Sequence, residues 1–182
     1  MQIIDFSKYS LVLIHDEQVV YTSDQPGLRP LLACLAECRN RYRNCVLHDR
    51  VTGLAAARLI VHVGLQSDAG DIGPGGAPSY EAGEIPRGPA TADASGNKDH
   101  VGLIASVVTQ VASKPARTFL QQHGIDLSAD LMVENILRKD RTAICPAEQI
   151  ALVTDGPGAF LSKINAMSGN VIPADAPILI LK

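Results

Sequence analysis

The chain has 182 residues, of which 46% are apolar and 19% are charged, and its formal net charge is −3. This length fits one domain with an additional segment, and this charge excludes the overall basic surface that is typical of nucleic-acid-binding proteins. No apolar run reaches the length of a membrane span and no signal peptide is recognisable, so we expect a cytoplasmic protein that does not bind a membrane.

The first third of the chain predicts a β-hairpin followed by a helix, a strand and a second helix. Two β-rich runs at 9–14 and 18–22 predict the antiparallel hairpin. Pro30 begins a helix whose leucines recur at helical spacing. The strand at 45–48 leads through a turn into a helix of small and apolar residues at 54–61. The order strand, tight turn, helix indicates a β-α unit of an α/β protein.

Residues 67–100 differ in composition from the rest of the chain, because Gly, Pro, Ala, Ser and Asp dominate there. Such a segment buries too little apolar surface to offset the entropy lost on ordering. We predict a flexible insertion, with a functional lid as the alternative, inside a single domain that spans residues 1–166. Residues 167–182 form a predicted C-terminal arm that could add an edge strand to this sheet or to a partner's.

The second half predicts one strand followed mainly by helices. The predicted elements are a strand at 101–111, a helix from Ser113 to Gly124, a short strand at 125–127, a helix at 130–137, a helix after Cys145 and a last helix at 158–167.

Two predicted helices begin directly after a strand or loop that carries reactive side chains. Cys145 and Glu148 flank Pro146, which is well tolerated in the first turn of a helix, so both side chains lie at the positive end of the helix dipole. Residues 49–53 precede the other helix. If the sheet places the two helices side by side, their free N–H groups form a pocket that suits an anion.

Asp49 and Cys145 are the candidate catalytic residues. Asp49 ends a predicted strand, where a ligand cleft would lie, and its carboxylate could bind ribose hydroxyls or act as a nucleophile or base; the alternative is a helix cap. Cys145 at a helix start could have a lowered pKa and act as a nucleophile; the alternative is a cap or a packed thiol.

Four further residues complete the predicted ligand site. Glu148 either faces the pocket or belongs to a capping box. Arg29 and Arg50 are candidates for contacting a ligand phosphate, and Gly53 is expected to allow a tight turn beside the pocket.

Four segments together resemble an uncharacterised family of the cytidine deaminase-like superfamily, domain of unknown function 1893. The resemblance covers about residues 8–66 and 101–165 and rests on the segments at 23–31, 48–57, 114–125 and 144–148. It implies an α/β fold with three layers, α/β/α, in which a mixed sheet carries helices on both faces. It also implies that the two helix starts lie where working deaminases hold zinc.

The chain departs from the zinc deaminase pattern at both helix starts. Such an enzyme needs a His or Cys followed two residues later by Glu on the first helix, and Pro-Cys-x-x-Cys on the second. Residues 52–56 contain neither group, and Glu148 stands in what resembles the place of the second cysteine. We therefore expect no catalytic zinc and no other cofactor. The alternative is an atypical metal site of Cys145, Glu148 and either His48 or Asp49.

These observations predict a deaminase-fold protein that binds a nucleotide-like or phosphorylated small molecule between the two helix N-termini. Any reaction would be a hydrolase- or transferase-like step without metal, carried by Asp49 or Cys145. One alternative is a hydrolase or deaminase with the atypical metal site. The other is a non-enzymatic scaffold or regulatory subunit, for which a homodimer is compatible with the apolar arm.

Overall fold

The computed structural model describes residues 4–64 and 102–169, which contain five strands and five helices. The predicted insertion at 67–100 and most of the predicted arm at 167–182 lie outside the described residues. The strands are β1 (Leu11–His15), β2 (Gln18–Ser23), β3 (Cys45–Thr52), β4 (Ile104–Ser113) and β5 (Asp126–Val133). The helices are α1 (Arg29–Cys38), α2 (Leu54–Gly64), α3 (Lys114–Gln122), α4 (Pro146–Val153) and α5 (Pro157–Ser168).

The five strands form one mixed sheet with the order β2-β1-β3-β4-β5. β1 is antiparallel to both β2 and β3, whereas β3, β4 and β5 are parallel. Parallel neighbours need a crossover connection, and α3 provides the one between β4 and β5. The predicted α/β class with a mixed sheet is confirmed.

The hairpin of β1 and β2 is formed by local sequence signals. Its two-residue loop consists of Asp16 and Glu17, both with positive φ angles of 46° and 64°. Positive φ at both positions is the geometry that matches the twist of a two-residue hairpin. The predicted antiparallel hairpin is confirmed.

Helix α2 lies at the centre of the helical layer, and all eleven of its residues are buried. It packs against β3 and β4 and contacts each of the other four helices. Even Arg58 is only 8% exposed. Its guanidinium donates to the carbonyl oxygens of Ala151 and Thr154 at 2.7 Å and of Gly156 at 3.1 Å. Arg58 therefore stabilises the C-terminal end of α4, whose last carbonyls have no partner within the helix.

The predicted helix at 130–137 is wrong, because β5 runs from Asp126 to Val133. β5 pairs with β4 in parallel, with Leu131 beside Val111. Pairing with β4 supplies the hydrogen bonds that a local helix would have made, so the tertiary contact outweighs the local pattern.

The other helices lie close to their predicted positions. The Ser113 side chain accepts from the N–H of Ala116 and caps α3. Cys34, Cys38 and Cys45 are buried free thiols. Among the described helices none has both the length and the apolar character needed to cross a bilayer.

Candidate functional site

The N-termini of α2 and α4 meet through a single side chain, Glu148. Its Oε2 accepts a hydrogen bond of 2.5 Å from the N–H of Leu54, the first residue of α2. The side chain is 1% exposed, and its Oε1 has no hydrogen-bond partner among the described residues. A carboxylate at this position complements the helix dipole and satisfies a free N–H. The protein's own carboxylate therefore occupies the place where the sequence predicted a bound anion.

Gly53 allows this close approach. A Cβ at Gly53 would lie 2.8 Å from Cγ1 of Ile136 and closer still to Oε2 of Glu148. Real Cβ atoms essentially never come within 3.0 Å of a heavy atom outside their own residue and its chain neighbours. The side chains of Glu148 and Ile136 thus meet directly over the turn that joins β3 to α2.

We expect Gly53→Ala to lower the free energy of unfolding by about 2 kcal/mol, because an added methyl in a packed site forces its neighbours apart. Urea denaturation monitored by circular dichroism measures this change. Gly158→Ala is the matched control, because a Cβ there meets no atom within 4 Å. A Gly53→Ala protein as stable as the control would show that Glu148 and Ile136 move without cost.

Cys145 precedes α4 and is linked to the loop that follows β5. Its N–H donates to the carbonyl oxygen of Ile136 at 2.8 Å. The thiol makes no cap hydrogen bond, and the half-buried side chain packs against the core. A nucleophilic role for Cys145 stays a prediction.

Asp49 lies inside β3 and not directly before a helix, which corrects the predicted position. β3 continues to Thr52 because it stays paired with β4 along this length, and α2 begins at Leu54. The Thr52 hydroxyl donates to Oδ2 of Asp49 at 3.2 Å. Burial raises the pKa of Asp49 to about 7, and the hydrogen bonds from Thr52 and from the backbone of Val51 and Arg50 only partly oppose that effect. A carboxyl group with such a pKa exchanges protons near neutral pH.

The two predicted arginines differ in their surroundings. The guanidinium of Arg50 donates to the carbonyl oxygens of Phe6 and, at 3.0 Å, of Tyr9. Arg50 therefore holds the N-terminal segment against β3. Arg29 is the exposed first residue of α1. Contact of either arginine with a ligand stays a prediction.

A cavity of about 630 Å³, which we call the apolar cavity, lies at the carboxyl ends of β3, β4 and β5. Its floor includes Val51, Val111 and Leu131, which are register neighbours on three adjacent strands. Val51 is 40% exposed and Leu131 is 55% exposed. The remaining lining comes from the end of β5 and the loop after it: Val133, Glu134, Asn135, Ile136, Leu137, Arg138, Lys139 and Arg141.

None of the six predicted site residues lines this cavity. Sequence reasoning misses this cavity because the apolar pattern of residues 130–137 predicts a helix. If this segment is recognised as a strand, Leu131 and Val133 lie on the same face of the sheet, because they are two residues apart. The basic residues of 138–141 directly after this strand would then have indicated an anion site at its carboxyl end. Within 4–64 and 102–169, no three His, Cys, Asp or Glu side chains are grouped so that they could hold a metal ion.

The described chain is thus a mixed α/β domain with a cavity at the carboxyl edge of its parallel strands. Residues 1–69 match the model of the family described as TM1506, domain of unknown function DUF1893. The match covers less than half of the chain, so it shows a similarity of residues 1–69 to this family.

One solved structure is similar to this chain in its fold. It is the crystal structure of a DUF1893 family protein (TM1506) from Thermotoga maritima, with a TM-score of 0.56 and 19% identity. The likeness covers 88% of this chain and 82% of that chain. We found no match among curated proteins. Membership of the cytidine deaminase-like superfamily stays a prediction.

Proposed function

We propose that this protein binds a nucleotide-like or phosphorylated small molecule in the apolar cavity. The observation that carries the proposal is the combination of an aliphatic floor with three cations, Arg138, Lys139 and Arg141, in one cavity. Ligand sites are mostly apolar, with a few polar groups that fix orientation. They occur at the carboxyl ends of parallel strands in α/β sheets.

The charges of the cavity select an anion. Arg138, Lys139 and Arg141 carry three positive charges, whereas Glu134 is the acidic residue of the lining. The carboxylate of Glu134 is already paired with the ammonium group of Lys114. The chain as a whole has a formal charge of −3, so the three cations form a local site and not part of a generally basic surface. Arginine and lysine bind phosphate oxygens through charge-assisted hydrogen bonds.

Two reactive side chains belong to residues that are near the cavity lining in sequence or are hydrogen-bonded to it, and any chemistry would depend on them. Asp49 is two residues from Val51 on β3, and its raised pKa suits a general base. The backbone N–H of Cys145 donates a hydrogen bond to the carbonyl oxygen of Ile136, a residue that lines the cavity. We propose Asp49 as the proton acceptor and Cys145 as the alternative nucleophile, in a reaction without metal.

A matched pair of charge variants tests the proposal. Nucleoside 5′-monophosphates and diphosphates are titrated against the protein by isothermal calorimetry at low and moderate salt. We expect binding that weakens with salt, since exposed charges are screened. The double variant with Arg138→Ala and Lys139→Ala should lose at least about tenfold in affinity, the equivalent of 1.4 kcal/mol.

Arg117→Ala is the control, because Arg117 is an exposed cation on α3 that does not line the cavity. It should bind as tightly as the wild type. Failure of every nucleotide to bind, or an equal loss in the control, would contradict the proposal.

A further inference from the structure

A second cavity of about 510 Å³ adjoins the apolar cavity beside the first turns of α3. Glu134 and Asn135, the two residues that follow β5, line both cavities. Residues shared by two linings form a common wall, so the cavities meet at this point of the loop. We call the second space the polar cavity.

One face of α3 forms most of the polar cavity, and the apolar side chains of Leu54 and Pro115 complete the lining together with the shared loop residues. Lys114, Thr118 and Gln122 follow one another at intervals of four residues, which places them in one row on the helix. Thr118 and Gln122 are exposed and bring a hydroxyl and an amide group to the lining. Phe119 adds an aromatic ring whose centroid lies 4.4 Å from that of His123. These groups suit an uncharged ligand portion that carries hydroxyls.

The two cavities differ in charge. In the polar cavity the charged lining residues are Lys114 and Glu134, which form an ion pair with each other. The apolar cavity carries the three cations Arg138, Lys139 and Arg141. The apolar cavity therefore attracts an anionic group, whereas the ion pair in the polar cavity gives that group no net electrostatic attraction. Each cavity has the volume typical of one small-molecule site, so a mononucleotide occupies only one of them.

We infer that the ligand has two parts, a phosphorylated part in the apolar cavity and an uncharged, hydroxyl-bearing part in the polar cavity. The chemical class that carries both is a nucleoside diphosphate linked to a sugar. This inference rests on the proposed function and deepens it, because it assigns the ligand's second part to Thr118, Gln122 and Asn135.

The test compares nucleoside diphosphates with their glucose-linked forms, each with a uracil or an adenine base. Isothermal calorimetry on the wild type should show affinity at least tenfold higher for the glucose-linked forms. Gln122→Ala should remove most of this gain and leave the affinity for the simple diphosphates unchanged. Gln121→Ala, an exposed neighbour on α3 that does not line the cavity, should change neither affinity.

The outcomes separate the two proposals. If linked and simple diphosphates bind equally well to the wild type, the bipartite ligand is wrong and the anion site stands. If no nucleotide binds, the proposed function is wrong as well. An effect of Gln121→Ala as large as that of Gln122→Ala would also overturn the inference, because it would reflect a general change in α3.

Discussion

Replacing Glu148 with alanine is expected to lower the free energy of unfolding by about 3 kcal/mol, because hydrogen bonds to charged groups are worth 1.5–3 kcal/mol and a cavity forms as well. The variant leaves the N–H of Leu54 at the start of α2 without its acceptor. It also removes the negative charge that complements the dipole of α2. Urea denaturation of both proteins in the same buffer measures the loss.

Two further variants make this result specific. Glu148→Gln keeps an acceptor oxygen for Leu54 and should lose about half as much stability, as expected for a neutral hydrogen bond. Glu134→Ala removes a carboxylate that is 77% exposed, and surface ion pairs contribute only about 0–1 kcal/mol. Formate at high concentration should partly restore Glu148→Ala by filling the vacated site. A loss no larger than that of Glu134→Ala would contradict the role of Glu148 as the cap of α2.

Asp49→Asn is expected to stabilise the protein at pH 8 by about 4 kcal/mol, because a pKa difference of one unit corresponds to 1.36 kcal/mol. Burial raises the pKa of Asp49 to about 7 in the folded protein, from an ordinary value of 3.8. The wild type therefore ionises a partly buried carboxyl group at a cost that asparagine avoids. The Thr52 hydroxyl can still donate to the amide oxygen of the variant.

The pH dependence of this difference follows from the direction of the shift. Below the ordinary pKa of 3.8 the carboxyl group is protonated in both states, and the two proteins should be equally stable. As the pH rises towards 7, the unfolded chain ionises first and the wild type loses stability. Above pH 7 the difference should stay constant. Denaturation at a series of pH values tests this, with exposed Asp126→Asn as the control. A constant difference across the whole range would contradict the pKa assignment.

If Asp49→Asn is more stable, the aspartate is maintained at a cost to folding. Active sites commonly carry such costs, since the charge that function needs is unfavourable for the fold. The same variant should then be assayed for nucleotide binding and turnover. Loss of turnover with retained binding would support the role of proton acceptor.

Local signals in the sequence predicted the elements that local contacts form. The hairpin depends on alternating β-rich residues and a two-residue turn, and both lie within 9–23. The helix after Cys145 depends on Pro146 in its first turn. By contrast, β5 forms because it pairs with β4, and nothing within residues 126–133 alone reveals that partner. The family resemblance was also visible in the sequence, and residues 1–69 match the model of that family.

The candidate site was predicted only in part, for the same physical reason. The sequence indicated that two helix N-termini would converge if the sheet placed the helices side by side, and Glu148 of α4 does contact the first residue of α2. It could not show that this carboxylate fills the space between them. The floor of the apolar cavity joins Val51, Val111 and Leu131, which are distant in the chain and become neighbours only through strand register. The raised pKa of Asp49 likewise depends on burial by the assembled sheet.

The complete enclosure of α2 has a consequence for biosynthesis. Its eleven residues are buried partly by α4 and α5, which are encoded last among the described elements. While the ribosome is still translating residues 102–145, the part of α2 that α4 and α5 later cover has no helix packed against it. The segment that matches the family model, 1–69, includes α2 but none of these covering helices. We therefore expect this domain to complete its folding only after Pro157–Ser168 has left the exit tunnel, and a nascent chain arrested earlier to expose that part of α2 to chaperones.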